Sequence, residues 1–247
     1  MKKFIFALLI IINTISYAKE VVTFPSLDGV RITADLYMDS NDTNRPFILL
    51  FHRAGWSRGE YEEIAPKLNK LGYNCMAIDQ RSGDSVNLID NQTKAEAQKR
   101  GKSTTYLEAV KDIKAALVYA RKHFAKGKLI AWGSSYSAAL VIEIVGNNNS
   151  LADAVLSFSP GEYFVRYGKS SHWIAGAASR LKVPIFITSA KKEASSWRDI
   201  FNAIRSPKQS YIPPKGGHHG SEALWSEYPT SKGYWKAVEK FLGAIGR

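Results

Sequence analysis

Apolar and polar positions recur along this chain at two different spacings, and each change of spacing marks a new element. Val21 to Phe24 and Arg31 to Tyr37 read as strands, and Leu27-Asp28-Gly29 supplies the turn of a hairpin between them. Pro46 to His52 and Tyr73 to Asp79 are apolar runs of strand length, suited to strands covered on both faces. Lys128 to Trp132, Leu151 to Phe158, Val183 to Thr188 and Gln209 to Ile212 read as further strands. Helical spacing is clearest from Thr105 to Ala125, where Tyr106, Ala109, Ile113, Leu117, Ala120 and Phe124 fall on one face. Thr105 and Glu108 have capping-box spacing, and Gly127 ends that helix. Tyr61 to Leu71 reads as a helix with Pro66 marking a kink or a late start and Gly72 a stop. Ala138 to Val145 and Lys232 to Ile245 also read as helices. Ala54 to Gly59 reads as a loop, and the polar stretch Ser82 to Ser103 is expected to be a surface loop.

Strands alternating with helices predict an α/β fold: a mostly parallel sheet with helices on both faces, and an antiparallel hairpin at one edge. No repeat or linker divides Lys19 to Arg247, which reads as one domain. In such sheets the site lies beyond the carboxyl ends of the strands, so the chemistry is sought there.

One strand end stands out. Lys128 to Trp132 runs into Gly133-Ser134-Ser135-Tyr136-Ser137 and then into a helix. Strand, small-x-Ser-x-small turn and helix is the context of a nucleophile elbow, in which a strained turn lifts a serine hydroxyl above the sheet. Ser135 is the expected nucleophile, with Ser134 the alternative one register away. An ordinary turn or a phosphate cradle would use the same small residues, but the glycine and lysine pattern of a phosphate loop is missing.

The other strand ends supply partners. An oxyanion needs two backbone N–H donors. Tyr136 supplies one, and the loop after His52 the other, from Ala54 first and Arg53 second. His52 is read as a structural residue of that loop, and Asp79, Arg81 and Gly83 as turn formers. A triad acid that orients a histidine belongs in the turn after Val183 to Thr188. Glu193 is the first carboxylate there, with Asp199 and Glu162 as alternatives. The general base is placed at His219, followed by Gly220, with His218 as runner-up. The two adjacent histidines lack the third spaced ligand of a metal site. The order serine, acid, histidine is the one expected of a sheet of this kind.

Composition narrows the picture further. Lys2 and Lys3, the apolar run Phe4 to Ile12 and Ser16-Tyr17-Ala18 have the form of an export signal cleaved after Ala18. The run is short of the ~20 residues a spanning helix needs, so a periplasmic or secreted chain is expected. The single cysteine, Cys75, excludes an intrachain disulfide and reads as a buried thiol. The net charge of +12 is scattered, and no nucleic-acid recognition motif accompanies it.

With His52-Arg53-Ala54-Gly55, Asp79-Gln80-Arg81-Ser82-Gly83, Gly133 to Ser137 and His219-Gly220 in place, the chain from Val21 to Arg247 resembles the α/β-hydrolase superfamily. It looks closest to compact bacterial hydrolases of the dienelactone-hydrolase and serine-aminopeptidase-like kind. That resemblance implies an eight-stranded sheet and cofactor-free hydrolysis of a small-molecule ester, thioester or amide. Two departures are visible. Ser137 stands where glycine is usual, and Lys191-Lys192-Glu193 carries lysine where aspartate is common, which leaves the identity of the acid open. The stretch between Phe158 and Val183 has room for only a helix or two, so the cap is minimal and the site open. Arg53, Trp56 and Tyr163 are the expected substrate-binding residues, and Phe164, Tyr167 and Trp173 could line an acyl pocket or simply pack a helix. A neutral His219 base predicts activity rising with pH through about 6.5. An ester hydrolase, a peptidase or amidase of the same fold, and an inactive binding protein on the same scaffold are the competing functions.

Overall fold

The computed structural model describes residues 19–38 and 42–246. The expected leader, 1–18, lies outside the described residues.

The expected hairpin forms from β1 (Lys19–Pro25) and β2 (Arg31–Tyr37), paired antiparallel with Phe24 opposite Ile32. Gly29 takes φ +81° in its turn, a conformation that only glycine adopts without strain. The remaining sheet strands are β3 (Phe47–Phe51), β4 (Asn74–Ile78), β7 (Leu129–Ser134), β8 (Ala154–Phe158), β9 (Ile185–Thr188) and β10 (Lys208–Tyr211). Between β4 and β7, the two-residue strands β5 (Ser85–Val86) and β6 (Ile89–Asp90) form a ladder of their own. The eight-stranded sheet has the order β1-β2-β4-β3-β7-β8-β9-β10, parallel from β4 onward. Strands β3, β4, β7, β8 and β9 are buried at every position, because helices cover both faces. Edge strand β10 alternates exposed and half-buried positions and begins with Lys208, which discourages pairing with another sheet.

On one face, α1 (Ile64–Lys70) and α7 (Ser231–Ile245) bury Ile64, Leu68, Tyr234, Val238 and Phe241 against Ile48, Leu50, Ile130 and Trp132. On the other face, α3 (Ala109–His123), α4 (Tyr136–Asn147), α5 (Trp173–Ala178) and α6 (Arg198–Ala203) cover Leu49, Phe51, Ala131 and Val155. Pro66 sits in the first turn of α1, so the start is late and the helix unkinked. Gly72, at φ +91°, closes it. The chain leaves β3 toward β4 on one side and leaves β7 toward β8 on the other. The carboxyl ends of β3 and β7 therefore face a common crevice, where such sheets bind ligands.

Two expectations are corrected. The 82–103 stretch is not simply a loop, for it holds α2 (Gln92–Lys99) as well as the β5–β6 ladder. Only Thr93 and Ala97 of α2 are buried, so no apolar stripe announces the helix. What starts it is Asn91, whose side chain accepts the Lys94 amide at 2.8 Å. Ahead of α3, Thr105 makes no capping bond. A 3-10 turn, Tyr106–Glu108, leads into α3 at Ala109 instead.

Candidate active site

Ser135 stands at the tip of β7 with φ +60° and ψ −120°, a region that costs a non-glycine residue about 1–3 kcal/mol. Its backbone is held there by the Ser135 amide donating to Phe158 O at 2.7 Å and by Ser135 O accepting from the Ala139 amide at 3.2 Å. The small flanking residues have separate reasons. A Cβ on Gly133 would lie 2.4 Å from Ser137 O, so α4 passes too close to the strand for any side chain. Ser137 is tolerated because its hydroxyl is used: it lies 2.7 Å from Phe51 O and accepts the Ser134 amide at 2.9 Å. The serine in place of glycine thus ties the turn to the end of β3.

The three sequence-selected residues converge. Ser135 Oγ lies 2.7 Å from His219 Nε2, and His219 Nδ1 lies 2.9 Å from Glu193 Oε1. The carboxylate can only accept, which puts the histidine proton on Nδ1 and turns the Nε2 lone pair to the serine hydroxyl. Burial pushes the Glu193 carboxyl up, but hydrogen bonds from His219 and Ser159 outweigh it and hold the group below its usual value. Ser159, at the end of β8 with φ +55°, donates to Glu193 Oε2 at 2.8 Å and accepts the Gly220 amide at 2.9 Å. It therefore orients the acid and anchors the histidine loop together. Gly220 needs φ +75° and leaves no room for a Cβ, which would meet Ser134 Oγ at 2.4 Å.

Beside Ser135, the Tyr136 amide begins α4 and the Ala54 amide lies in the turn after β3; neither has a partner among the described residues. The Arg53 amide is committed to Glu60 Oε2 at 2.8 Å, which leaves Ala54 as the loop's available donor. His52 is buried and structural: Nδ1 donates to Arg53 O at 2.8 Å and Nε2 accepts the Gln80 amide at 3.0 Å. Burial lowers its pKa to about 4, so it stays neutral and shapes the loop.

Of the expected substrate contacts, Tyr163 is tied to the site through its hydroxyl, which donates to Ser159 O at 2.6 Å. Trp56 stacks face to face on Trp225 at 5.3 Å. The Arg53 guanidinium lies over Trp56 and bonds Glu222 Oε1 at 2.8 Å and His219 O at 3.3 Å, so it braces the histidine loop. Phe164 is buried against Trp173 and Tyr167, so the aromatic residues of the short cap pack on one another, with Tyr167 also facing the cleft beside Gly55. A cleft of about 330 Å³ opens beside Gly55, lined by Ser82, Gly83, Thr104, Tyr106 and Tyr167 among others.

The alternative candidates lie elsewhere. Glu162 accepts the Ile174 and Ala175 amides at 2.9 and 2.8 Å, capping α5. Asp199 is exposed on α6. His218 stacks on Tyr228 at 3.5 Å, and Ser134 points to Glu60 at 2.7 Å. Asp79 does accept backbone N–H groups, but from Arg58 and Gln92 rather than from its own turn. Sequence reasoning missed Ser159 and Glu60. Ser159 directly follows a strand and was discoverable by position, whereas Glu60 sits in a segment read only as a loop running into a helix.

Comparisons with known proteins identify the family and the fold. Residues 42–200 match the model of the serine aminopeptidase S33 family, Hydrolase_4. The quorum-quenching protein AidA of Acinetobacter baumannii (strain MDR-ZJ06) is 30% identical over 157 residues, 60% of this chain and 46% of that protein. The chain thus spans about half the length of this curated relative. Among solved structures, dienelactone hydrolase from Anabaena variabilis superposes with TM-score 0.70 at 14% identity, covering 92% of this chain and 97% of that one. The Pyrococcus furiosus esterase Pf2001 superposes with TM-score 0.68 at 17% identity, covering 93% and 94%. At such identities these two establish the α/β-hydrolase fold.

Proposed function

The chain belongs to the serine aminopeptidase S33 family of α/β hydrolases, and on that footing we propose that it is an exported serine hydrolase cleaving a carboxylic ester or related acyl bond through Ser135, His219 and Glu193. The observation that carries the reading is the unbroken relay of 2.7 and 2.9 Å ending on a serine in a strained turn.

As Ser135 Oγ attacks the substrate carbonyl, its proton passes to His219 Nε2. The Ala54 and Tyr136 amides donate to the oxyanion, and the dipole of α4 adds to their effect. Glu193 stabilises the imidazolium. His219 then hands the proton to the leaving oxygen, giving an acyl-Ser135 intermediate. Water, deprotonated by His219, attacks that acyl group, and the acid leaves as Ser135 regains its proton. The leader-like 1–18 segment supports export. The family's description as a serine aminopeptidase supports amide cleavage as a second reading, and the quorum-quenching relative adds quorum signals to the substrates worth trying.

The test is labelling of the mature chain with a fluorophosphonate, alongside p-nitrophenyl acetate and aminoacyl-amide assays, for wild type and Ser135→Ala. Labelling and ester turnover should vanish together in the variant. Amide turnover without ester turnover would select the peptidase. A folded wild type that neither labels nor turns over any substrate would leave a binding protein.

A further inference from the structure

Under the catalytic loops lies a carboxylate that the mechanism above does not use. Glu60 is fully buried in the 3-10 turn Arg58–Tyr61 after the oxyanion loop. Its Oε2 accepts the Arg53 amide at 2.8 Å, one residue before Ala54. Its Oε1 accepts the Ser134 hydroxyl at 2.7 Å, one residue before Ser135, and the Ser221 amide at 3.2 Å, two residues after His219. The Ser221 amide also reaches Ser134 Oγ at 2.9 Å. Among the described residues no lysine, arginine or histidine forms an ion pair with Glu60. The Arg53 guanidinium pairs with Glu222. A buried charge without a counter-ion is expensive, and here neutral donors from three catalytic loops take the counter-ion's place.

We propose that Glu60 is a positioning residue whose ionised carboxylate holds the oxyanion loop, the nucleophile turn and the histidine loop in one register. The inference rests on the hydrolase reading above. Three donors converge on two oxygens, an arrangement only a carboxylate satisfies. A protonated Oε2 would set its hydrogen against the Arg53 amide, and a protonated Oε1 would force the Ser134 hydroxyl to turn away. The titratable groups around it are Arg53 and Glu222 on the neighbouring loops, Tyr61 on its own turn and Tyr136 on α4. Burial pushes the Glu60 carboxyl up to about 7, against the hydrogen bonds from Ser134 and Arg53 that pull it down. Loss of the register on protonation therefore falls near neutrality.

Activity and stability then respond to pH in opposite senses. With a folded-state pKa above the unfolded one, Glu60 contributes stability that is full below about 4.5 and is lost as pH rises through about 7. The catalytic register appears over the same rise.

The experiment compares wild type with Glu60→Gln from pH 5.5 to 9, reading kcat and KM for p-nitrophenyl acetate, the rate of fluorophosphonate labelling, and Tm. A glutamine turns one acceptor into a donor facing other donors. The expected result is a fall in kcat of about tenfold to a hundredfold, with KM little changed. The acid limb should lose the ionisation near neutrality that Glu60 supplies, and the fall in Tm toward alkaline pH should flatten. A variant with wild-type kcat and an unchanged limb overturns the inference. If Glu60→Gln does not fold, Ser134→Ala removes one arm, and a wild-type kcat and pH profile there overturns it equally. Labelling of wild type at Ser135 with an indifferent Glu60→Gln sinks this inference alone. If wild type does not label, the hydrolase reading falls, and an unchanged Tm profile in the variant would then reject the titration of Glu60 as well.

Discussion

Two groups of buried charge lie on either side of the oxyanion loop, and they meet the cost of burial differently. On the side of β2 and β4, Arg81 forms 2.7 Å ion pairs with Asp28 and Asp112, and Arg58 bonds Asp35 at 2.9 Å and Asp79 at 2.6 Å. On the side of β7 and β8, Glu60 is held by amides and a hydroxyl, and Glu193 by a neutral histidine and Ser159. Full opposite charges pair every carboxylate of the first group with a guanidinium, although burial still pushes Asp79 up to about 6 against the pull of Arg58. In the second group the partners are dipoles and a histidine; burial pushes Glu60 up to about 7, while burial's push on Glu193 is outweighed by the hydrogen bonds from His219 and Ser159. Rigid pairing suits an anchor, and dipolar pairing suits a site that must move protons.

Substitutions should separate the two groups, with the largest effect at the nucleophile. Ser135→Ala should lower turnover by up to about 10⁶-fold while leaving Tm essentially unchanged. A large Tm loss would mean that the strained turn depends on the hydroxyl. Glu193→Gln should lower kcat by about 10⁴-fold by permitting the wrong histidine tautomer, measured with the same ester. A variant as active as wild type would return Asp199 or Glu162 to consideration. Arg81→Ala should destabilise by about 3–5 kcal/mol, because it strands buried Asp112 without its partner. Thermal unfolding should report a fall of about 10 °C. Arg81's hydrogen bonds also hold Asp28 well below the usual carboxylate range. That contribution is present above about pH 4 and is lost as pH falls through the lowered folded value, the opposite sign to Glu60. Arg81→Ala should therefore also weaken the acid-side dependence of Tm. The smallest effect is expected at Tyr163. Tyr163→Phe should cost a few-fold in kcat/KM if its hydroxyl assists at the reacting centre, and no change would limit it to bonding Ser159.

The same division explains what was legible in the chain. Gly133 to Ser137 could be read because its chemistry is local: a strand, a tight turn and a close helix impose small residues within five positions. The two departures that left doubt resolve only in three dimensions. Ser137 is accommodated by Phe51, distant in sequence, and Glu193 stands next to His219 although lysines precede it. Helix α2 was missed because its polar surface carries no period, and its start depends on a single asparagine cap. Thr105 has the spacing of a cap, but a 3-10 turn takes the position where the cap would act.

By itself, the sequence determined the alternation of elements, the parallel sheet and the strand ends where polar residues gather. Those follow from periodicity and from backbone hydrogen bonding, which act over a few residues. It also narrowed the nucleophile to Ser135 or its neighbour Ser134, and the strained φ +60° belongs to Ser135. Only the tertiary structure decided which carboxylate meets the histidine, that Arg53 braces a loop, and that Glu60 joins three catalytic segments. Hydrogen bonds of 2.7–2.9 Å between residues up to 84 positions apart depend on how the layers pack, and a linear pattern carries no record of that distance.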